Sequence, residues 1–195
     1  GITGMLLAAR LAGFESHIRS WRRALANGFK PMHEGLSAEI DRASEMWIWE
    51  ESVIPGLLQT PEYAAAINRG AVRRGAISEQ QAEERLTLLA KRQASLARDP
   101  VPFVHVVLDE SCLRRLVGGA EVMRAQLESL ITFAELPNTV LQVAPYELGE
   151  RRSFDLPVRF LTLPERVVIA YAESAQQGLL ERDYSAVQPM LTAYH

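Results

Sequence analysis

The sequence predicts an α+β fold: a small mixed β-sheet covered by helices over one face, with an N-terminal helical layer or arm. Three observations lead there. Apolar spacings of three and four dominate the first hundred residues. Short β-branched runs follow from Phe103 onward. The first two of these runs are separated by helical segments and can pair in parallel, whereas the last two are joined by a short turn and would be antiparallel. With 195 residues, 48% of them hydrophobic, the chain can bury a core without staples. It divides into a helical arm or linker over 1–50 and an α+β effector or ligand-binding domain over 51–195.

Each element has a local reason. Residues 5–29 read as helical: Leu6, Leu7 and Leu11 precede a break at Gly13, then Ile18, Trp21, Leu25 and Phe29 recur opposite Arg19, Arg22 and Arg23. A second helix starts near Ser37, with Leu36, Ile40, Ala43 and Trp47 on one stripe. An extended run from Met46 to Ile54 turns at Pro55-Gly56, where proline presets φ and glycine accepts a positive one. Thr60-Pro61-Glu62 starts a helix with a hydroxyl cap, a proline at the first position and a carboxylate in the first turn. That helix carries Tyr63, Ala66, Ile67 and Ala71 and closes at Gly75. Ser78-Glu-Gln-Gln81 is a capping-box pattern opening a helix to about Ala97, with Gln93 on its apolar seam, where the amide finds a buried partner, marks a helix–helix register or sits at the edge.

Asp99-Pro-Val-Pro102 marks the change of class. Phe103 to Leu108 is a strand, and Asp109 caps a short helix ended by Gly118-Gly119. The next helix buries Met123, Leu127, Leu130, Ile131 and Ala134, and Pro137-Asn138 stops it. Thr139 to Ala144 is a second strand, followed by a polar loop to Ser153 with a charged Glu150-Arg-Arg152 tip. Phe154–Leu163 and Val167–Tyr171 form a hairpin, and Asp183 to Ala193 a closing helix containing Pro189.

Recognisable catalytic spacing is absent: there is no phosphate-binding loop, dinucleotide fingerprint, His-Glu-x-x-His or Cys-x-x-Cys. His105, Asp109 and Ser111 suggest a triad only by proximity in sequence, and a strand residue and a cap residue four apart diverge. Cys112 follows a helix cap and reads as packed against the sheet. The four histidines show no ligand spacing, so neither metal nor cofactor is expected, and no catalytic residue is assigned. A net charge of −3 argues against a general nucleic-acid surface. A single cysteine suits a reducing cytoplasm, and no apolar run reaches the roughly 20 residues that span a bilayer. The opening Gly1-Ile-Thr-Gly-Met5 reads as a processed or trimmed start. Pockets combine apolar walls with a few polar groups. The candidate ligand-binding set is therefore Trp49, Tyr63, Phe103, Tyr146 and Phe154 with Gln59, His105, Gln142 and Glu173.

The stretch Ile54-Pro-Gly-Leu-Leu-Gln-Thr-Pro-Glu-Tyr-Ala64 resembles the signature of an actinobacterial family of Cro/CI-type (xenobiotic-response-element) helix-turn-helix regulators. The similarity continues through Lys91-Arg-Gln-Ala-Ser-Leu96, Val107-Leu-Asp-Glu-Ser-Cys-Leu-Arg-Arg115, Gly118-Gly-Ala-Glu-Val-Met-Arg-Ala-Gln-Leu127, Val140-Leu-Gln-Val-Ala-Pro145 and Tyr171-Ala-Glu173. Members carry a helix-turn-helix followed by a long domain, and some are antitoxin-like regulators paired with a small protein. The resemblance implies a homodimeric regulatory domain that senses a small-molecule effector or a small partner protein. DNA would be met only through a helix-turn-helix, for which no room exists before Trp21. The alternative is an enzyme evolved on this regulator scaffold, acting on a small molecule in a closed pocket.

Overall fold

The computed structural model describes residues 34–154, 156–173 and 178–194. In order these are helix α1 (Glu34–Arg42), strand β1 (Glu45–Glu50), a 3-10 turn (Gly56–Leu58), α2 (Pro61–Arg73), α3 (Glu79–Ala94), a 3-10 turn (Ser95–Ala97), β2 (Phe103–Asp109) and α4 (Glu110–Arg114). Then follow α5 (Ala120–Ala134), β3 (Thr139–Ala144), a 3-10 segment (Tyr146–Arg151), β4 (Val158–Thr162), β5 (Val168–Glu173), β6 (Gly178–Glu181) and α6 (Tyr184–Tyr194). The helix expected over 5–29 lies outside the described residues.

One six-stranded sheet runs in the order β3-β2-β1-β4-β5-β6. β1, β2 and β3 are parallel, because each connection between them is long enough to hold helices that cross back over the sheet. β4 pairs antiparallel with β1, and β4, β5 and β6 form an antiparallel meander. The architecture is α+β. The boundary expected between residues 50 and 51 falls directly after β1, which is a central strand.

Helices cover both faces of the sheet, not one. On the first face Met46, Ile48, Val104, Val106, Leu108, Leu161 and Ile169 meet Ile40, Tyr63, Cys112, Met123 and Leu130. On the second, Trp49, Val158, Phe160 and Ala170 meet Val187 and Tyr194 of α6. Tyr194 anchors this layer: its hydroxyl lies 3.1 Å from the Ile48 carbonyl and 3.2 Å from that of His105, within donating reach of either. Trp47, expected on the stripe of the preceding helix, belongs instead to β1 and stands edge-on to Tyr194 at 5.6 Å. Tertiary pairing overrides the spacing there, since Ser44 N–H donates to the Thr162 carbonyl at 2.8 Å and ends the helix. Ile131, expected on a buried stripe, is 62% exposed. β6 (Gly178–Glu181) is a strand beyond those the sequence predicts.

The corner from Ile54 to Thr60 lacks regular structure, so side-chain amides satisfy its backbone. Gln59 Nε2 donates to the Ile54 carbonyl (2.7 Å). Gln93 Nε2 reaches the carbonyls of Gly56 (2.9 Å) and Gln59 (2.7 Å). Gln126, fully buried, accepts from Thr60 N–H at 2.7 Å and donates to the Leu58 carbonyl at 2.7 Å. Tyr63 hydroxyl accepts from Ile54 N–H at 3.2 Å. Of the readings open for Gln93, the one with a partner holds: it ties α3 to the corner. Gly56 does not adopt a positive φ; α3 approaches it closely, and an added Cβ would meet Leu89 Cδ1 at 3.1 Å, so that side chain would have to give by a few tenths of an ångström. The expected caps are present: Thr60 Oγ1 accepts from Tyr63 N–H, and Ser78 and Gln81 bond reciprocally.

Candidate functional site

Parallel strands all point their carboxyl ends the same way, and the turns leaving them form a crevice where open α/β sheets bind ligands. Here β1 exits into Glu51-Ser52, β2 into Asp109 and Ser111, and β3 into Pro145-Tyr146. These residues, with Leu148, Gly149 and Arg152 of the loop after β3, line a cleft of about 450 Å³. The loop turns back at Gly149, whose φ of 54° and ψ of −125° only glycine adopts without strain.

Register sets the electrostatics of the cleft. Glu50 pairs with Leu108, so the next residues, Glu51 and Asp109, leave adjacent strands side by side. Arg152 Nη1 bridges them, 3.5 Å from Glu51 and 3.9 Å from Asp109. Asp109 Oδ1 also accepts from Ser111 N–H at 2.9 Å, the helix cap the sequence predicts. Ser111 hydroxyl donates to the Glu51 carbonyl, which joins the exits of β1 and β2. The exit of β3 is held by Glu110, which accepts from Tyr146 N–H at 3.0 Å. That donation, then the hydrogen bond from Arg114, holds the Glu110 carboxyl below its ordinary value. Tyr146 is 56% exposed on the rim.

Of the nine candidate residues, Tyr146 alone lines this cleft. Trp49 and Phe154 stack nearby, rings 5.9 Å apart, in an apolar cluster that includes the cleft residue Leu148. The buried Trp49 Nε1–H has no hydrogen-bond partner among the described residues. Gln59 and Tyr63 serve the corner described above. Phe103, His105 and Gln142 come together elsewhere on the second face: His105 Nε2 is 2.8 Å from Gln142 Oε1, and Trp47 stacks on both rings, at 4.9 and 5.9 Å. Glu173 ends β5, and its side chain lies outside the described residues. His105 is four residues back along β2 from Asp109, roughly 13 Å at ~3.3 Å per residue, too far to join Asp109 and Ser111 in a triad. Cys112 is fully buried, and desolvation pushes its thiol up to about 12. Glu51, Ser52, Pro145, Leu148, Gly149 and Arg152 carry no motif that marks them as site residues. The signal available was their position immediately after strands that can pair in parallel.

Among the described residues no helix is long and apolar enough to cross a membrane. Comparison with curated proteins and with solved structures gives no match. The model of one family, described as a domain of unknown function (DUF5753), matches residues 36–195, a span that takes in β1, the whole sheet and the cleft. The chain therefore belongs to the DUF5753 family.

Proposed function

We propose that this chain is the effector-sensing and dimerisation domain of a cytoplasmic Cro/CI-type helix-turn-helix regulator, and that a small molecule binds the cleft at the carboxyl ends of β1, β2 and β3. The observation that carries this reading is the cleft itself. Its volume of about 450 Å³ falls within the ~300–1,000 Å³ of small-molecule sites. Its wall offers two carboxylates, one guanidinium, hydroxyls and an exposed aromatic ring, the mixture that orients a ligand bearing both donors and acceptors. The signature motifs quoted above supply the regulator context. Binding rather than turnover is favoured because neither Ser111, whose hydroxyl donates to a backbone carbonyl, nor Cys112, a buried thiol, is poised as a nucleophile, and among the described residues no base stands beside them in a triad. The mechanism is a population shift, in which the effector favours one dimer arrangement and so changes the spacing of the DNA readers.

Native mass spectrometry of the protein purified from its own host, compared with denaturing conditions, tests the reading. A retained small molecule, lost from Arg152→Ala and Asp109→Asn variants of native fold, supports it. Retention that is indifferent to both substitutions refutes the assignment to this cleft. Turnover of the retained molecule would move the protein to the enzyme alternative.

A further inference from the structure

We propose that the outer edge of β3, together with the flank of α5 beside it, is a homotypic interface on which a second copy of this chain adds its own β3 antiparallel across a two-fold axis. β3 ends the sheet order, and among the described residues it pairs with β2 alone. Val104 N–H donates to the Asn138 carbonyl at 2.9 Å. Because backbone direction alternates along a strand, the amides and carbonyls of Leu141 and Val143 then face outward, whereas the Thr139 N–H is taken by the Leu136 carbonyl at 3.3 Å. Sheet edges are ordinarily blunted by charge, proline or a bulge. This one is Thr-Val-Leu-Gln-Val-Ala, six residues with neither charge nor proline. The opposite edge, β6, carries Glu181 and runs into Arg182-Asp183.

The neighbouring helix is shaped to the same end. Gln126 and Val122 turn one flank of α5 inward, to the corner and to Gly118. The other flank carries Arg124, Glu128 and the exposed Ile131, and Val143 beside it on the strand is 45% exposed. Arg124 and Glu128 form a 2.6 Å ion pair one turn apart. A two-fold axis turns this flank end for end, so its arginine meets the other copy's glutamate and the reverse. A surface with one charge of each sign beside an apolar residue and an uncharged strand is its own complement. That self-complementarity selects a second copy over a partner of single charge sign. The interface is argued without the cleft and stands if no effector binds there.

Sedimentation equilibrium of the intact chain, with circular dichroism as the check on folding, tests the proposal. The wild type is expected to dimerise, and Ile131→Glu and Val143→Lys to remain folded and turn monomeric. Ile131→Glu is expected to raise the dissociation constant about 100-fold, from roughly tenfold for each of two isoleucines withdrawn from the interface. Tyr184→Glu, on α6, is expected to leave the dimer unchanged. Hydrogen exchange provides a measurement that needs no variant: the Leu141 and Val143 amides become protected as concentration rises. A wild type monomeric at high concentration overturns the proposal. So does a dimer that survives both substitutions, or one whose β3 amides exchange at the same rate at every concentration.

Discussion

Gln126 is the most exacting test of how the corner is built. Its side chain is fully buried, and both ends are used: Oε1 takes the Thr60 N–H and Nε2 gives to the Leu58 carbonyl, each at 2.7 Å. Gln126→Leu keeps the volume and orphans both backbone groups. At about 1–3 kcal/mol for each unsatisfied buried group the loss is about 2–6 kcal/mol, and the added apolar surface returns about 1–2 kcal/mol. At the middle of these ranges the net expectation is about 2.5 kcal/mol, or roughly 5–10 °C in Tm at ~2–4 °C per kcal/mol for a chain of this size, measured by urea titration and thermal scans. Gln126→Glu refines the test. Its carboxylate accepts from Thr60 but repels the Leu58 carbonyl, whereas the protonated acid has an O–H to donate and mimics the amide. Its folded pKa is therefore raised, so its stability is fully present below the unfolded value of about 4.3 and lost as pH rises through the folded one. Gln126→Leu within about 1 kcal/mol of wild type, or a Gln126→Glu deficit that does not ease on acidification, would refute the reasoning.

Other consequences follow from burial and capping. Cys112, its thiol raised to about 12 by desolvation and by the nearby Glu50 and Asp109 charges, is expected to resist a disulfide reagent in the native state at pH 8 and to react fully once guanidinium unfolds the chain. Rapid native labelling would count against a packed Cys112. Burial raises the phenols of Tyr63 and Tyr194, and each is neutral while protonated. Their contribution to stability is present below the unfolded pKa of about 10 and falls as pH rises above it; denaturant titrations at alkaline pH should show the decline, flatter in Tyr63→Phe and Tyr194→Phe. Asp109→Ala removes the cap of α4 and is expected to cost about 1 kcal/mol, with Asp109→Asn recovering most of it; equal losses in the two variants would assign the effect to charge rather than to capping.

What the sequence shows and what it hides separate by distance along the chain. Thr60 over Tyr63, Ser78 with Gln81 and Asp109 over Ser111 are hydrogen bonds closed within three residues, so residue type and spacing suffice to predict them. Gln93 and Gln126 answer to backbone groups 34 to 68 positions away; on one helix such an amide looks like an edge residue, because nothing local reveals the irregular corner it must satisfy. Trp47 misleads for the same reason. It lies four residues after Ala43, as a helix stripe requires, yet its place is decided by pairing with His105 on one side and Phe160 on the other. The cleft is the extreme case. Glu51 and Arg152 belong to no motif, Asp109 reads only as a helix cap, and Glu51 and Asp109 become neighbours only because β1 and β2 run parallel in one particular register. The sequence left parallel pairing as an option rather than a result, and with it the one topological fact from which the cleft can be placed. Ile131 carries the converse lesson: its spacing is that of a core residue, yet the helix it rides on turns Met123, Gln126 and Leu130 inward and leaves Ile131 62% exposed on the other flank, the side on which the proposed second copy would cover it.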